Sequence, residues 1–472
     1  MKQSAVAATS LLIGVFMTSV TWADIRLPAV IGDHMVLQEK TLVNLWGWSD
    51  PTEAVDVSVS WDTTVYHGRG SSSAKWSLQL KTPAAGGPYT ITFRGHDTIT
   101  VSDVLIGEVW DCSGQSNMEM SYSWGVKQYT ADVNNAANQS IRLFHVPRLT
   151  AQYPQDDLKG QWVVCSPDAV KTFSLAGYFF GSKLHQVLAV PVGLIEANWG
   201  GTPAEVWTPR DSIEKNPVLR TAADSLKKSA GWPVEPSVTY NAMIYPLVNF
   251  TIAGVIWYQG ESNVGTASTY HELFSTMIRS WRAAWKNDFP FYFVQIAPFS
   301  GYDGIRGAFL QEAQTKTLDV PHTGMIVVSD LVADLKNIHP IDKKDVGYRL
   351  ADLALSKTYG QKDLPVEYPL FKSMNISKGK AVISFQNVAN GLMVKGNVLN
   401  GFYVAGADKV FKAASATIKG NTVEVWSKEV PSPVAVRFDF TSSSVPVLFS
   451  KEGLPVNLFR TDEWNEVNTP AQ

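Results

Sequence analysis

Residues 104–118, VLIGEVWDCSGQSNM, decide the fold of this chain. The first seven form an apolar run of the kind found in strands that are buried on both faces of a sheet. A turn of glycine, serine and asparagine residues follows at once, and a serine on such a turn can present its hydroxyl at the end of the sheet. The same turn leaves backbone N–H groups available to stabilise an oxyanion.

Strands and helices alternate on the C-terminal side of this stretch. Apolar runs predict strands at 190–198, 253–258, 291–296 and 325–328, and helical periodicity predicts helices at 173–188, 270–285, 307–319 and 345–359. Such alternation is typical of parallel βαβ units. The ligand site of such a sheet lies beyond the carboxyl ends of its strands.

The flanking regions show the period-two alternation of β-strands instead. Examples are 43–46, 55–59, 76–80 and 89–93 before the central region, and 381–385, 422–426 and 434–438 after it. A length of 472 residues favours about three domains. The predicted organisation is a signal peptide at 1–23, an N-terminal β-sandwich-like domain at 24–105, an α/β domain at 106–361 and a C-terminal β-domain at 362–472.

The first 23 residues have the composition of a secretory signal. One lysine precedes an apolar run, and Thr21-Trp22-Ala23 provides a small-residue cleavage site before Asp24. We therefore expect a periplasmic or secreted protein whose mature chain starts at Asp24 and carries no membrane span. The alternative is an uncleaved membrane anchor, for which the apolar run is short.

The composition excludes several classes of protein. Lys+Arg 40 against Asp+Glu 43 argues against a nucleic-acid-binding protein or a polybasic membrane-surface protein. Cys112 and Cys165 are too few for a disulfide scaffold, and their spacing leaves open whether they pair. We expect no cofactor and no metal, because neither a phosphate loop nor a His-Glu-x-x-His motif is present. The 16 tryptophans indicate large apolar cores or flat platforms for sugar rings.

Polar clusters follow successive predicted strands. They are residues 112–118 with two serines, 198–202 with a glycine pair, 259–263 with the sequence QGESN, and 337–340 with the sequence NIHP. Among the 8 histidines, His339 is best placed to act as a general base, because it follows the last predicted strand. A neutral amide such as Gln259 suits an oxyanion donor, because it needs no change of protonation.

This order of serine, glycine pair, glutamine and histidine resembles the SGNH (GDSL-like) hydrolases. It is most similar to the sialate O-acetylesterase family and related carbohydrate acetylesterases. The matching stretches are 107–110, 113–118, 200–207, 241–243, 257–263, 338–340 and 347–351, with the opening residues 27–28 and 33–38. The resemblance implies an SGNH-hydrolase (flavodoxin-like) parallel sheet flanked by β-sandwich-like domains.

The resemblance also implies residue roles. Ser116 would be the nucleophile and His339 the base that takes its proton. The oxyanion would be bound by the N–H groups of Ser116 and Gly201 and by the Gln259 side chain, each contributing about 3 kcal/mol. The substrate-binding residues would be Gln115, Asn117, Gly200, Glu261 and Asn263.

The third member of the catalytic triad is where this sequence departs from the family pattern. Many SGNH hydrolases carry an aspartate three residues before the histidine, and Lys336 occupies that position here. Asp334 and Asn337 are the nearest candidates for the missing group. A Ser–His dyad is the alternative.

The resemblance implies an exported serine esterase that removes O-acetyl groups from carbohydrate through an acetyl-Ser116 intermediate. Its partner would be an acetylated glycan, with 9-O-acetylated sialic acid as the first candidate and acetylated xylan or another polysaccharide as the second. A sialate site needs a cation for the sugar carboxylate, and Arg210 is the candidate. The alternative of a different class is a non-catalytic carbohydrate-binding protein.

Overall fold

The structure, a computed structural model, describes residues 24–464. The predicted signal peptide at 1–23 therefore lies outside the described residues. No helix within the described range is long and apolar enough to cross a membrane. Cys112 and Cys165 are both buried, and neither forms a disulfide.

The N-terminal region is built from short antiparallel strands, as its alternating sequence predicts. β2 pairs with β5, while β3, β4 and β6 form a second layer with the start of β7. The strands are β1 (Val36–Gln38), β2 (Leu42–Trp48), β3 (Ala54–Val59), β4 (Val65–Arg69), β5 (Lys75–Lys81), β6 (Gly86–Arg94) and β7 (Thr98–Gly114).

β7 joins this region to the central sheet without a linker. Its 17 residues cross the predicted boundary at 105/106, and its two halves have different partners. The first half pairs antiparallel with β6, and the second half lies parallel to strands of the central sheet. One hydrophobic cluster covers both regions, from Ile25 through Trp110 to Leu355, and also includes Val366, Tyr368 and Leu454. The N-terminal strands therefore share their core with the central domain.

The central sheet is mostly parallel, which agrees with the α/β prediction. The spatial order is β13-β12-β11-β7-β10-β8-β9, and only the β8–β9 pair is antiparallel. Without the β8–β9 edge, the remaining strands have the order 2-1-3-4-5, which is the flavodoxin-like order. The added strands are β8 (Asn138–His145), β9 (Trp162–Cys165), β10 (Val192–Asn198), β11 (Gly254–Tyr258), β12 (Phe291–Val294) and β13 (Thr323–Ile326).

The longer helices lie where the apolar periodicity predicts them. Their starts have a chemical cause: the hydroxyl of Ser174 caps α4 and the carboxylate of Asp342 caps α9. α4 packs against α9, and α7 packs against α8. The helices are α1 (Ser116–Glu119), α2 (Thr130–Asn134), α3 (Pro167–Thr172), α4 (Leu175–Leu188), α5 (Arg210–Glu214), α6 (Pro217–Asp224), α7 (Ala267–Trp285), α8 (Arg306–Lys316) and α9 (Lys343–Lys357).

The C-terminal region is a β-domain with its own hydrophobic cluster, which includes Val404, Val423 and Phe438. Its larger sheets have the orders β14-β15-β20-β19 and β18-β17-β21-β23. The strands are β14 (Leu370–Ser377), β15 (Lys380–Gln386), β16 (Leu392–Val394), β17 (Phe402–Ala405), β18 (Lys412–Ala413), β19 (Ser415–Lys419), β20 (Thr422–Trp426), β21 (Ala435–Phe438), β22 (Leu448–Ser450) and β23 (Phe459–Arg460).

Candidate active site

Ser116 lies at the carboxyl end of the central strand β7, where it begins α1. As the first helical residue, it has a backbone N–H without an acceptor inside the helix. Gly114 makes the turn into α1 feasible, because its φ is 139° and a Cβ there would lie 2.2 Å from the carbonyl oxygen of Tyr258 on β11. The structure thus places the predicted nucleophile at the β7–β11 edge, which is the switch point of the sheet.

Gly200 is the glycine that lies beside the nucleophile. A Cβ at Gly200 would be 3.3 Å from the Cβ of Ser116. Its N–H donates to Glu119 Oε2 at 2.6 Å, and Arg148 Nε donates to Glu119 Oε1 at 2.6 Å. Burial raises the pKa of Glu119, against the lowering effect of Arg148. Gly201, the glycine predicted for the oxyanion hole, has its carbonyl oxygen bound by the Ser262 hydroxyl.

The Gln259 side chain is fully hydrogen-bonded inside the protein. Its Nε2 donates to Thr202 O at 3.2 Å and to Asn263 Oδ1 at 2.8 Å. Its Oε1 accepts a hydrogen bond from the Tyr270 hydroxyl at 2.8 Å. Both protons of this amide are therefore engaged, and the predicted oxyanion donor is directed into the protein rather than toward a substrate.

Gln115 has a different arrangement. Its Oε1 accepts from the N–H groups of Gly260 and Ser262, at 3.3 and 3.4 Å. Its Nε2 has no hydrogen-bond acceptor among residues 24–464. Gln115 precedes Ser116 directly, so this amide is the better placed of the two to donate to a substrate.

Asn117 and Asn263, both predicted to bind substrate, are fully buried and bind protein groups instead. Asn263 Oδ1 accepts from Ala204 N at 2.9 Å, and its Nδ2 donates to Glu205 Oε2 at 2.8 Å. Asn117 Nδ2 donates to Glu261 Oε1 at 2.6 Å and to Ile338 O at 3.1 Å. These contacts connect the polar clusters to one another.

A buried lysine completes the Asn117 contacts. Lys343 Nζ donates to Asn117 Oδ1 at 2.7 Å, and the side chain has no solvent exposure. Burial lowers the pKa of Lys343 to about 7, although Glu261 partly offsets this effect. Burial also raises the pKa of Glu261, whose second oxygen has no hydrogen-bond partner among the described residues.

His339 is half-buried on the loop before α9, and its backbone is held by Asn337. Asn337 Oδ1 accepts from His339 N at 2.9 Å, while Asp334 Oδ1 accepts from Lys336 N at 2.9 Å. Both candidate third members are exposed, and neither contacts the imidazole. Within residues 24–464, no carboxylate lies at ion-pair distance from the His339 ring. Burial, and then the charge of Lys343, lower the pKa of His339.

Two exposed tryptophans lie beside the candidate site residues. Trp124 is 44% exposed, and its ring lies 5.6 Å from that of His339. Trp232 is 40% exposed, and its ring lies so close to Gly201 that a Cβ there would be 2.3 Å from it. Trp110 and Trp257, which the sequence placed near the clusters, are fully buried core residues. Flat apolar rings beside a binding site suit the apolar faces of sugar rings.

Four residues near the site were not predicted from the sequence: Glu119, Lys343, Trp124 and Trp232. Glu119 follows Ser116 by three residues and Lys343 follows His339 by four, so their proximity to the clusters was the available signal. Nothing in the sequence indicates that Lys343 is buried, because lysine at the start of a helix is ordinarily exposed. The two tryptophans belong to loops that no periodicity predicts.

Other charged groups are already partnered. Arg210, the predicted cation for a sialate carboxylate, pairs with Glu235 at 2.8 Å. A group of potential metal ligands, Asp50, Glu53 and His96, lies in the N-terminal region and not at the strand ends. There the Glu53 oxygens accept the backbone N–H groups of Asp50 and His96, at 2.9 and 2.7 Å.

Comparisons with known proteins identify the family of this chain. Residues 107–356 match the family model "Carbohydrate esterase, sialic acid-specific acetylesterase". Sialate O-acetylesterase of Homo sapiens is 31% identical over 421 residues, which cover 80% of each chain. The corresponding enzyme of Mus musculus is 30% identical and covers 76% of this chain and 78% of its own.

A solved structure gives the same result. A carbohydrate acetylesterase from Xanthomonas citri is 37% identical and superimposes with a TM-score of 0.85, covering 93% of this chain and all of that chain. The predicted family resemblance is confirmed. The chain belongs to the sialic acid-specific acetylesterase family of carbohydrate esterases, and it is a carboxylic ester hydrolase of the sialate O-acetylesterase type.

Proposed function

We propose that this protein hydrolyses O-acetyl esters of carbohydrate through an acetyl-Ser116 intermediate, with His339 as the base. One observation carries the proposal. Asn117, the residue after Ser116, donates its side-chain N–H to the carbonyl oxygen of Ile338, the residue before His339. This 3.1 Å hydrogen bond joins the loops of nucleophile and base at the carboxyl edge of the sheet.

The reaction would proceed in two steps. Ser116 Oγ attacks the acetyl carbonyl carbon while His339 takes its proton, and the imidazolium then returns that proton to the departing sugar oxygen. In the second step His339 takes a proton from water, whose oxygen attacks the acetyl carbonyl carbon. The imidazolium then returns that proton to Ser116 Oγ as the bond from the acetyl carbon to the serine oxygen breaks, and acetic acid leaves and ionises to acetate. Each half-reaction forms one C–O bond and breaks another.

The oxyanion would be stabilised by the N–H groups of Ser116 and Gly200 and by Gln115 Nε2. Gly200 replaces the predicted Gly201, because Gly200 is the residue in contact with Ser116. Its N–H binds the Glu119 carboxylate in the free protein, so the oxyanion would take over an acceptor position that a carboxylate oxygen already occupies. Such preorganised donors contribute about 3 kcal/mol each.

For the substrate, we propose 9-O-acetylated sialic acid first. This choice rests on the sialate O-acetylesterases that are 31% identical to this chain. Acetylated xylan or another neutral polysaccharide is the second candidate. A neutral substrate needs no cation, and two arginines that could pair with a sugar carboxylate are already engaged: Arg148 is paired with Glu119 and Arg210 with Glu235.

Acetate release from a panel of esters tests both parts of this proposal. The panel contains a 9-O-acetyl sialoside, acetylated xylan and p-nitrophenyl acetate. Wild type and the exposed control Ser123→Ala are expected to turn over at the same rate, and Ser116→Ala to lose at least about a thousandfold. Mass spectrometry of quenched turnover is expected to find one acetyl group on the Ser116 peptide. A wild type without turnover on any ester would instead favour the non-catalytic carbohydrate-binding alternative.

The role of the exposed tryptophans is testable separately. Trp232→Ala removes a ring that p-nitrophenyl acetate does not need. The KM of this variant for the glycan is expected to rise about tenfold, while its KM for p-nitrophenyl acetate is expected to change little. Trp426→Ala, a partly exposed tryptophan of the C-terminal β-domain, is the matched control. Equal losses on both substrates would contradict a glycan platform.

We also infer export, from the composition of residues 1–23. Expression of the full chain in a Gram-negative host, followed by N-terminal sequencing of the periplasmic fraction, is expected to give Asp24 as the first residue. Retention of the full chain in the membrane fraction would favour the uncleaved anchor.

A further inference from the structure

We propose that Lys343 and Asn117 are positioning residues that hold His339 beside Ser116, in place of the carboxylate that the histidine lacks. This inference rests on the proposed roles of Ser116 and His339. An imidazole that must take a proton from a serine needs a fixed orientation, which a carboxylate commonly provides. Here neither Asp334 nor Asn337 reaches the ring.

The orientation comes from the backbone on both sides of the histidine. Asn337 Oδ1 accepts the N–H of His339 at 2.9 Å. On the other side, Asn117 Nδ2 donates to the carbonyl oxygen of Ile338 at 3.1 Å. Both atoms of the Ile338–His339 peptide are thus bound by side-chain amides, and only the Asn117 amide is buried.

The chemistry of its neighbours favours one orientation of Asn117. The ammonium form of Lys343 can only donate, so the atom that faces Nζ at 2.7 Å is Oδ1. Ile338 O can only accept, and Glu261 Oε1 accepts when the carboxylate is ionised, so Nδ2 has to face them. A flipped amide would place like groups together on both sides. Lys343 therefore fixes the amide that fixes the histidine loop.

The burial of Lys343 argues that this arrangement serves function rather than stability. Its side chain is completely buried, and its hydrogen-bond partner within residues 24–464 is the neutral Asn117. Removing an ammonium group from water costs several kcal/mol, which a neutral partner offsets poorly. Buried ionisable groups that are beside a cleft and lack a direct counter-ion are typical of functional sites.

The charged and titratable groups around Lys343 determine its electrostatic effect. Glu261 lies behind Asn117, and the Tyr258 ring lies 5.2 Å from Nζ. Asp342 adjoins Lys343, but its Oδ1 accepts from the Tyr129 hydroxyl at 2.8 Å and from Asp345 N at 3.1 Å. The Lys343 cation disfavours a second positive charge on His339, which keeps the imidazole neutral and able to accept a proton.

Lys343→Met tests the proposal, because the methionine side chain is only one atom shorter and lacks both the donor and the charge. The expected result is a fall in kcat of about 10- to 100-fold, the size of effect that a misplaced catalytic group causes, with KM within about twofold of wild type. The acid limb of kcat/KM is expected to move to higher pH, because the cation that lowers the pKa of His339 is gone. A merely structural role would not move this limb.

The neighbouring lysine provides the matched control. Lys344 is the second residue of the same helix, but its Nζ pairs with Asp132 at 2.6 Å and does not contact Asn117. Lys344→Met is expected to keep both kcat and the pH profile of wild type. Identical behaviour of the two variants, or a loss in Lys343→Met that appears only in KM, would overturn the proposal.

A second pair of variants keeps the test decisive if Lys343→Met does not fold. Glu261→Gln retains an acceptor for Asn117 Nδ2, so kcat is expected to stay within about threefold of wild type, whereas Glu261→Leu is expected to lose at least about tenfold. Equal activity of these two variants would refute a positioning role for the amide. Failure of the proposed function itself is recognised independently, because Ser116→Ala would then keep its activity.

Discussion

His339 is half-buried and close to the Lys343 cation, and both features set the pH dependence of the reaction. Burial and the cation lower the pKa of the imidazole below its usual value of about 6.5. Only the neutral imidazole accepts a proton, so kcat/KM is expected to rise as pH increases through this lowered pKa and to stay level above it. Measurement of kcat/KM from about pH 4 to 8 checks the position of the limb. A midpoint above the ordinary value would contradict the expectation.

No carboxylate among the described residues contacts the His339 ring, so we expect no single acid to be essential as a third member of a triad. Asp334 is exposed, and its carboxylate accepts a backbone N–H rather than an imidazole N–H. Asp334→Ala is therefore expected to keep kcat within about threefold of wild type, whereas His339→Ala is expected to lose about 10²- to 10⁴-fold. The same ester assay measures both variants. A loss in Asp334→Ala as deep as that of Ser116→Ala would restore a full triad.

The same residues show how far sequence reasoning reaches into the site. The positions of Ser116, the glycine pair at 200–201 and His339 after strands of the sheet were predictable, because serine, glycine and histidine at strand ends have a chemical meaning on their own, whereas the choice of Gly201 over Gly200 was not made on any contact. The environment of Gln259 was not predictable, because the Tyr270 hydroxyl that binds its side-chain amide belongs to the first turn of α7. Residue identity predicts what a group can do, and packing decides which way it faces.

Most strands of the central sheet and its amphipathic helices were predictable, including the edge strand β13, which overlaps the strand predicted at 325–328. The predicted helix at 270–285 is α7 (Ala267–Trp285), and the predicted strand at 190–198 is β10 (Val192–Asn198). β8 and β9 were missed. β8 starts with Asn138-Gln139-Ser140, and β9 has 4 residues, so neither shows a clear period. Their pairing is stabilised by the sheet they join rather than by local sequence.

The close contact between β7 and β11 depends on Gly114. Gly114 and Gly396 have positive φ values of 139° and 105°, but a Cβ at Gly114 would overlap Tyr258 O while one at Gly396 would meet nothing within 4 Å. Gly396→Ala is expected to cost about 1–2 kcal/mol of unfolding free energy from backbone strain. Gly114→Ala adds the overlap and is expected to cost more than about 4 kcal/mol. Urea unfolding measures both, and equal costs would contradict the close strand contact.

The whole molecule has fewer independent cores than its sequence periodicity predicts. The change from alternating to continuous apolar residues near 105 predicts a boundary, yet β7 passes through it and one hydrophobic cluster covers both sides. Periodicity reports which faces of a strand are buried, and it does not report what buries them. The boundary predicted at 361/362 falls between α9 and β14, yet Val366, Tyr368 and Leu454 beyond it still belong to the first cluster.

The C-terminal β-domain also contacts the central domain through α8, and we expect this contact to stabilise the central domain. Ile305 and Ala308 pack against Phe440, and Arg460 binds Glu312 at 2.8 and 2.9 Å. The same helix reaches the active-site loop, because Gln314 Nε2 donates to the carbonyl oxygen of Gln259 at 3.0 Å.

A chain that ends at residue 361 would expose the apolar face of α8 and leave Glu312 without its arginine. It is therefore expected to aggregate, or to fold with much lower ester turnover. Arg460→Met weakens the same contact without removing the domain, and it is expected to lower the unfolding free energy by about 1–3 kcal/mol. Lys412→Met, which breaks an exposed ion pair inside the C-terminal domain, is expected to change it little. A soluble truncated chain with wild-type turnover would show instead that α8 holds the active-site loop without help.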